Sequence, residues 1–463
     1  MLFSSLIFLW LALPLIWGGS WLLPRRWLNA FLLVVSLLVY AWGGVSYSTL
    51  LLGSIGMNYL LGRQLRGSKK KFWLALGVVL NLLLLGIFKY AAFATTEFNR
   101  LWTWFGEAPL PVPDLTLPLG ISFYTFQAIS YLVDTYRGVT PPQRRLDHLG
   151  LYIAFFPQLI AGPIVRYQDI REQILQRVRS WEKTHEGIRR FLVGLAKKVL
   201  IANTLAGINE EIFALDFTTM DPLTAWVGIV SYAGQIYYDF SGYSDMAIGL
   251  GLLFGFRLPE NFNFPYASRS IREFWRRWHI TLGAWFRDYL YIPLGGSRGS
   301  NWATSRNLLL VFMATGIWHG AAWSFLLWGL WHGLFIALER QRWWPLRGVL
   351  YAFLVTLFGW VLFRTESFTL SVQYYAAMFG LNGETIPFDW SFYWNRELSV
   401  VSVVTLLGFW PWWRPMTDRW GEILARRPWL KESLLTGALL VLFLLCTNSL
   451  VNNNLNPFIY FRF

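Results

Sequence analysis

No Asp, Glu, Lys or Arg lies between Arg306 and Glu339, and this run constrains the chain more than any other feature. It is long enough to enter and leave a bilayer core, where one crossing takes about 20 apolar residues. Within it stands Gly316-Ile317-Trp318-His319-Gly320-Ala321-Ala322-Trp323. An ionisable side chain at membrane depth is unfavourable and marks a functional site by default. Imidazole also takes and returns a proton near neutral pH. The bland alternative is a neutral core histidine bonded to a neighbouring carbonyl.

Composition agrees with a membrane protein. The 463 residues are 55% hydrophobic and 14% charged, whereas soluble domains carry about 25% charge. The 28 Trp and 21 Tyr suit extensive membrane–water interface. The net charge of +14 falls in short loops between apolar segments, which indicates the positive-inside bias and not a nucleic-acid partner. A single cysteine, Cys446, excludes an intrachain disulfide and a Cys-rich metal site. Residues 1–17 lack a basic segment ahead of their apolar run, so a retained first span is expected there. The reading is one integral-membrane domain over residues 1–463.

Loop charge orients the spans. The basic loops 63–71, 166–190, 257–277, 339–347 and 414–432 belong in the cytoplasm. The acidic connections 97–114, 210–221 and 366–397 belong on the other side. Spans are expected near 2–22, 28–44, 47–62, 72–90, 118–136, 187–206, 222–256, 307–322, 323–338, 348–364, 398–412 and 433–451, so an all-α polytopic protein of about 11–13 transmembrane helices results. Residues 148–165, broken by Pro157 and Gly162-Pro163, and residues 278–296 have basic loops on both sides. They read as re-entrant or interfacial elements, which need protein or a water-filled cavity around them. No internal repeat is present, which disfavours a transporter or channel using His and Asp as a relay.

Three of the five histidines, His279, His319 and His332, fall within 54 positions. On a straight helix His319 and His332 face nearly opposite ways, about 220° apart. No carboxylate or thiolate accompanies them, so no metal site is expected. His279 ends Phe274-Trp275-Arg276-Arg277-Trp278-His279. Arg276 and Arg277 beside tryptophans suit the phosphates of a cytoplasmic donor and equally suit anchoring to anionic lipid. The segment Tyr237-Tyr238-Asp239-Phe240-Ser241-Gly242-Tyr243-Ser244-Asp245 places two carboxylates in an apolar run, and Gly234, Gly242 and Gly249 would let helices pack closely. Asp239 and Asp245 either orient a histidine or arginine or pair with Arg287 or another cytoplasmic-side arginine. A Walker-type phosphate loop is absent.

At these residues the chain resembles the membrane-bound O-acyltransferase family, in its bacterial alginate O-acetyltransferase branch. The matching segments are 123–127, 131–134, 156–163, 238–245, 261–266, 274–282, 285–296, 317–321 and 456–463. The resemblance implies a ring of helices, with re-entrant or interfacial elements, around a cytoplasmic funnel. It implies that His319 is the catalytic histidine and that His279 is a second histidine of the site; on the residues themselves, Trp318, Trp278, Arg276, Arg277, Asp239 and Asp245 are the candidates for contacting substrate. Acetyl transfer in the bacterial inner membrane is expected, from a cytoplasmic acetyl-CoA or acyl-carrier donor and without a cofactor. The product would be an O-acetylated exopolysaccharide such as alginate, formed with an esterase-like periplasmic partner. D-alanyl transfer, and acetylation of peptidoglycan or cellulose, remain open alternatives.

Overall fold

The computed structural model describes residues 2–341, 343–388, 394–452, 456, 457 and 459. Helix makes up 73% of the chain, and no β-strand occurs among the described residues. The ends of the helices follow local chemistry. Ser180, Asp221, Ser270 and Ser300 each accept a backbone N–H three residues on, which satisfies one orphan donor of the first turn. Gly138 closes Ile121–Arg137 in the left-handed conformation, with Val139 N–H returning to Asp134 O at 2.9 Å, an arrangement that favours glycine.

The expected spans reappear as helices with shifted ends. Examples are Leu28–Ala41, Val45–Gln64, Ile121–Arg137, Pro222–Leu253, Asn301–His319, Trp323–Leu338 and Val349–Thr365. The span expected to stop at residue 90 instead continues as one helix, Lys70–Trp104. Its last turns are polar enough to read as a loop, yet nothing in them breaks a helix. The connections expected at 366–397 and 414–432 carry their own helices, Phe368–Met378 and Arg414–Ala425. Among the described residues three helices are long and apolar enough to cross a membrane by length and composition: Lys70–Trp104, Trp181–Ile212 and Pro428–Asn452. Residues 389–393 of the 366–397 connection lie outside the described residues, as do 453–455, 458 and 460–463, which leaves the C-terminal motif described at Asn456, Pro457 and Ile459.

The long Pro222–Leu253 helix is buried along most of its length and packs along Trp181–Ala196. Glycines set that approach. A Cβ on Gly194 would lie 2.5 Å from Gly242 O, and one on Gly249 would lie 2.6 Å from Gly187 O. Gly242 and Gly249 therefore do what their spacing predicts, and Gly187 and Gly194 supply the facing surface. Residues 148–165 are all buried, and the helix Leu146–Ala154 breaks at Phe155 before the short turn Phe156–Leu159. Such irregular backbone is tolerated where protein surrounds it. Tyr152 bridges it, its hydroxyl donating to Gln127 O or Val165 O at 3.1 and 3.0 Å.

Candidate active site

His319 is the last residue of Asn301–His319, and a short link, extended at Gly320 and Ala322, turns the chain into Trp323–Leu338. The two helices lie so close that a Cβ on Gly316 would overlap Phe325 O, and one on Gly329 would overlap Phe312 O. Glycine at both places therefore makes the hairpin, and the hairpin buries His319 to 1% exposure. Nδ1 lies 2.8 Å from Thr315 O. A carbonyl oxygen only accepts, so Nδ1 carries the proton and Nε2 is the basic nitrogen. Trp328 and Phe363 meet the imidazole edge-on, with ring centroids 4.8 and 5.6 Å away.

A helix C-terminus leaves its last carbonyls without intrahelical donors. Here a neighbouring helix supplies them. Lys89 Nζ donates to Trp318 O at 2.5 Å and to His319 O at 3.0 Å, and Tyr90 donates its hydroxyl to Ile317 O. The ammonium also lies 5.7 Å from the Trp318 ring centre. A cation at this end complements the helix dipole. Sequence reading missed Lys89. The available signal was a lone cation at the apparent end of the 72–90 apolar run, where it passes for an interfacial anchor.

His279 comes to the same place from a different element. It caps Ile280–Phe286 in the left-handed region at φ 45°, a strained backbone for a non-glycine residue. Asn261 holds it. Asn261 Oδ1 accepts from Thr281 N at 3.3 Å and from Thr281 Oγ1 at 2.9 Å, and lies 3.2 Å from His279 Nδ1. The backbone donor fixes the amide orientation, so His279 also presents Nε2 as its basic nitrogen. Thr281 Oγ1 in turn accepts from Ile164 N at 3.0 Å, which ties the histidine to the broken segment 148–165.

Trp318 joins the two histidines. Its ring centroid is 4.9 Å from that of His319 and 6.2 Å from that of His279. Phe123 and Phe126 pack against it, and Phe126 stacks on Trp285 at 3.7 Å. Segments far apart in the chain thus meet around one indole.

The other expected residues divide. Trp278 is 1% exposed and stacks on Phe274 at 5.6 Å, beside Trp360, so it forms part of the wall and not a surface for phosphate. Arg277 is engaged by Glu273 at 2.7 Å and by Asn263 O at 3.3 Å. Arg276 is exposed. Near it Arg272 has Arg340, Arg347 and buried Glu339 as neighbours, and the Glu339 carboxylate accepts from Ile271 N and Arg272 N at 2.5 and 3.1 Å. Burial, followed by the charge of Arg340, holds the Arg272 guanidinium below its ordinary range, against the pull of Glu339. Asp239 pairs with Lys198 at 2.7 Å, each side chain 2% exposed, and accepts from Ile459 N at 2.8 Å. Asp245 pairs with Arg190 and Lys197, both at 2.7 Å. The partners are thus two lysines and Arg190, while Arg287 pairs with Asp288. Neither aspartate is brought to the histidine pair: Asp239 fastens the C-terminal segment and Asp245 fastens two helices. His332 is fully buried among Phe274, Trp275 and Trp328.

Two basic nitrogens in a buried aromatic enclosure suit proton transfer from a hydroxyl. Comparisons with known proteins agree. Residues 149–371 match the model of the membrane-bound O-acyltransferase family. The chain is 46% identical to the probable alginate O-acetylase of Azotobacter vinelandii, over 88% of this chain and 83% of that one. It is 37% identical to the peptidoglycan O-acetyltransferase of Helicobacter pylori, over 83% and 81%. With the teichoic acid D-alanyltransferase of Bacillus subtilis it shares 28% identity, over 56% and 71%. All-helical, with paired histidines in an aromatic enclosure, this chain belongs to the membrane-bound O-acyltransferase family and is an O-acyltransferase.

Proposed function

We propose that the protein transfers an acetyl group from a cytoplasmic thioester, acetyl-CoA being the simplest, towards the O-acetylation of an exopolysaccharide of the alginate type. The observation that carries this reading is the tautomer of His319. With Nδ1–H committed to Thr315 O, Nε2 takes the proton of the attacking hydroxyl as its oxygen adds to the thioester carbonyl. The thiolate then leaves and collects that proton, and no metal is needed for the balance. His279 Nε2 is a second acceptor that positions the hydroxyl. The alginate-type product is favoured because the D-alanyl relative matches only 56% of this chain, at 28% identity.

The protein works as a multi-pass component of the bacterial inner membrane, its donor arriving from the cytoplasmic side where the basic loops gather. The direct acceptor is a hydroxyl on a periplasmic, esterase-like partner or on the polymer itself. The partner docks on the 365–397 connection or on 91–117, where Trp104 and Phe105 stand 81% and 72% exposed.

The test is His319→Ala at matched expression. Polymer acetylation should vanish while the protein remains inserted and folded. Near-normal acetylation by that variant would remove His319 from the chemistry.

A further inference from the structure

The helix Leu13–Leu22, the turn at Arg25 and the loop 176–180 border a cavity of about 510 Å³. Arg25, Arg177 and Arg179 line it with Trp21, Asn29 and Leu175, and no carboxylate does. Two of the guanidiniums are set in place from behind. Arg177 lies 4.5 Å over the Phe256 ring and donates to Asn29 Oδ1 at 2.7 Å. Arg179 lies 4.7 Å over Trp21 and donates to Ser20 O at 2.6 Å, and Trp21 stacks on Trp181 at 5.2 Å. Stacked guanidiniums keep their fork of donors fixed in direction. Arg177 Nη1 is buried and has no hydrogen-bond partner among the described residues. Arg25 donates to no protein group among them.

Three cations with no counter-charge are an unfavourable arrangement for a protein alone. Burial, and then the charge of Arg179, push the Arg177 guanidinium down to about 10; burial with Arg25 lowers Arg179 as well. An anion in the cavity relieves both effects. Leu22, Trp27, Val178 and Trp181 flank it and are exposed, and loop charge assigns residues 166–190 to the cytoplasmic membrane surface. The cavity shares no lining residue with the histidine site.

We propose that this cavity is a phosphate-binding site. A lipid phosphodiester and a soluble phosphate compound offer the same chemistry, and the exposed apolar flanks favour an anionic phospholipid headgroup. Guanidinium forks bind such oxygens in pairs.

The experiment uses the full chain in phosphatidylcholine nanodiscs, with and without phosphatidylglycerol, and reads retained lipid by native mass spectrometry and melting temperature. In a second arm, coenzyme A and inorganic pyrophosphate are titrated into phosphatidylcholine nanodiscs. Phosphatidylglycerol should stay bound and raise the melting temperature, and Arg25→Gln should weaken its binding roughly tenfold. The Arg25 side chain bonds no protein group among the described residues, so this variant separates ligand loss from misfolding; Arg179→Gln should act in the same direction. Arginine-dependent binding of the soluble phosphates alone keeps the phosphate site and overturns the lipid assignment. Binding of either class that is unchanged in Arg25→Gln and Arg179→Gln, or no binding of either, overturns the site.

Discussion

Lys89 stands in the middle of an apolar helix and spends its ammonium on the carbonyls of Trp318 and His319. Leaving buried carbonyls without donors costs about 1–3 kcal/mol, and here the slack would appear at the His319 imidazole. Small displacements of a reacting group lower rates steeply, about a hundredfold for an ångström. Lys89→Met should therefore lower kcat at least tenfold, by that reasoning roughly, with KM for the donor little changed. Lys89→Arg should recover part of it, since a guanidinium also donates twice. Steady-state kinetics beside melting curves decide the matter: a variant that loses stability but keeps its kcat would make Lys89 merely structural. His319 and His279 were legible in the sequence because an imidazole among tryptophans is conspicuous. Lys89 and Asn261 were not, because each acts through atoms of a residue distant in the chain.

Helix termini carry chemistry that propensity alone does not reveal. Asp221 caps Pro222–Leu253 through Thr224 N at 3.0 Å and also accepts from Phe388 N at 3.3 Å. Burial raises its carboxyl, but the donors outweigh burial and hold it below the ordinary carboxylate value. The sign follows: the cap stabilises the fold above the unfolded-state value and is lost as pH falls through the depressed one. Melting temperature should show an added decline on acidification below the ordinary carboxylate range, and Asp221→Asn, whose amide caps without titrating, should lack that added decline. Asp221→Ala should cost about 1 kcal/mol at neutral pH. An identical acid profile in the Asn variant would contradict the assignment. Helix positions were largely readable because apolar runs and loop charge are local properties. The extension to Trp104 was misjudged because polar residues there imitate a loop while the backbone stays helical, and Phe368–Met378 because its 11 residues are apolar but too few to read as a span.

Across the whole molecule, charge collects where the donor is proposed to arrive. Arg277 is spent on Glu273 and Asn263 O, whereas Arg276 is exposed and feels Arg272, itself near Arg340 and Arg347. The two neighbours in sequence should behave differently. Arg276→Glu should raise the donor KM several-fold with the melting temperature unchanged, and Arg277→Glu should mainly destabilise. Equal kinetic effects of both would argue against a donor surface centred on Arg276. The pairing of carboxylates was half legible: two buried aspartates demanded cations, but which cations depended on the Gly187/Gly194 approach that brings Lys197, Lys198 and Arg190 alongside. Lys89 has one more consequence, for anyone building with these parts. The family match begins at residue 149, so the residue that caps the histidine helix lies outside it. A hairpin of Asn301–Leu338 grafted onto another bundle would bring its imidazole and leave three oxygens bare, those of Ile317, Trp318 and His319. A designer would have to place an ammonium in a neighbouring host helix, opposite the graft's turn, before the graft could be expected to hold its geometry.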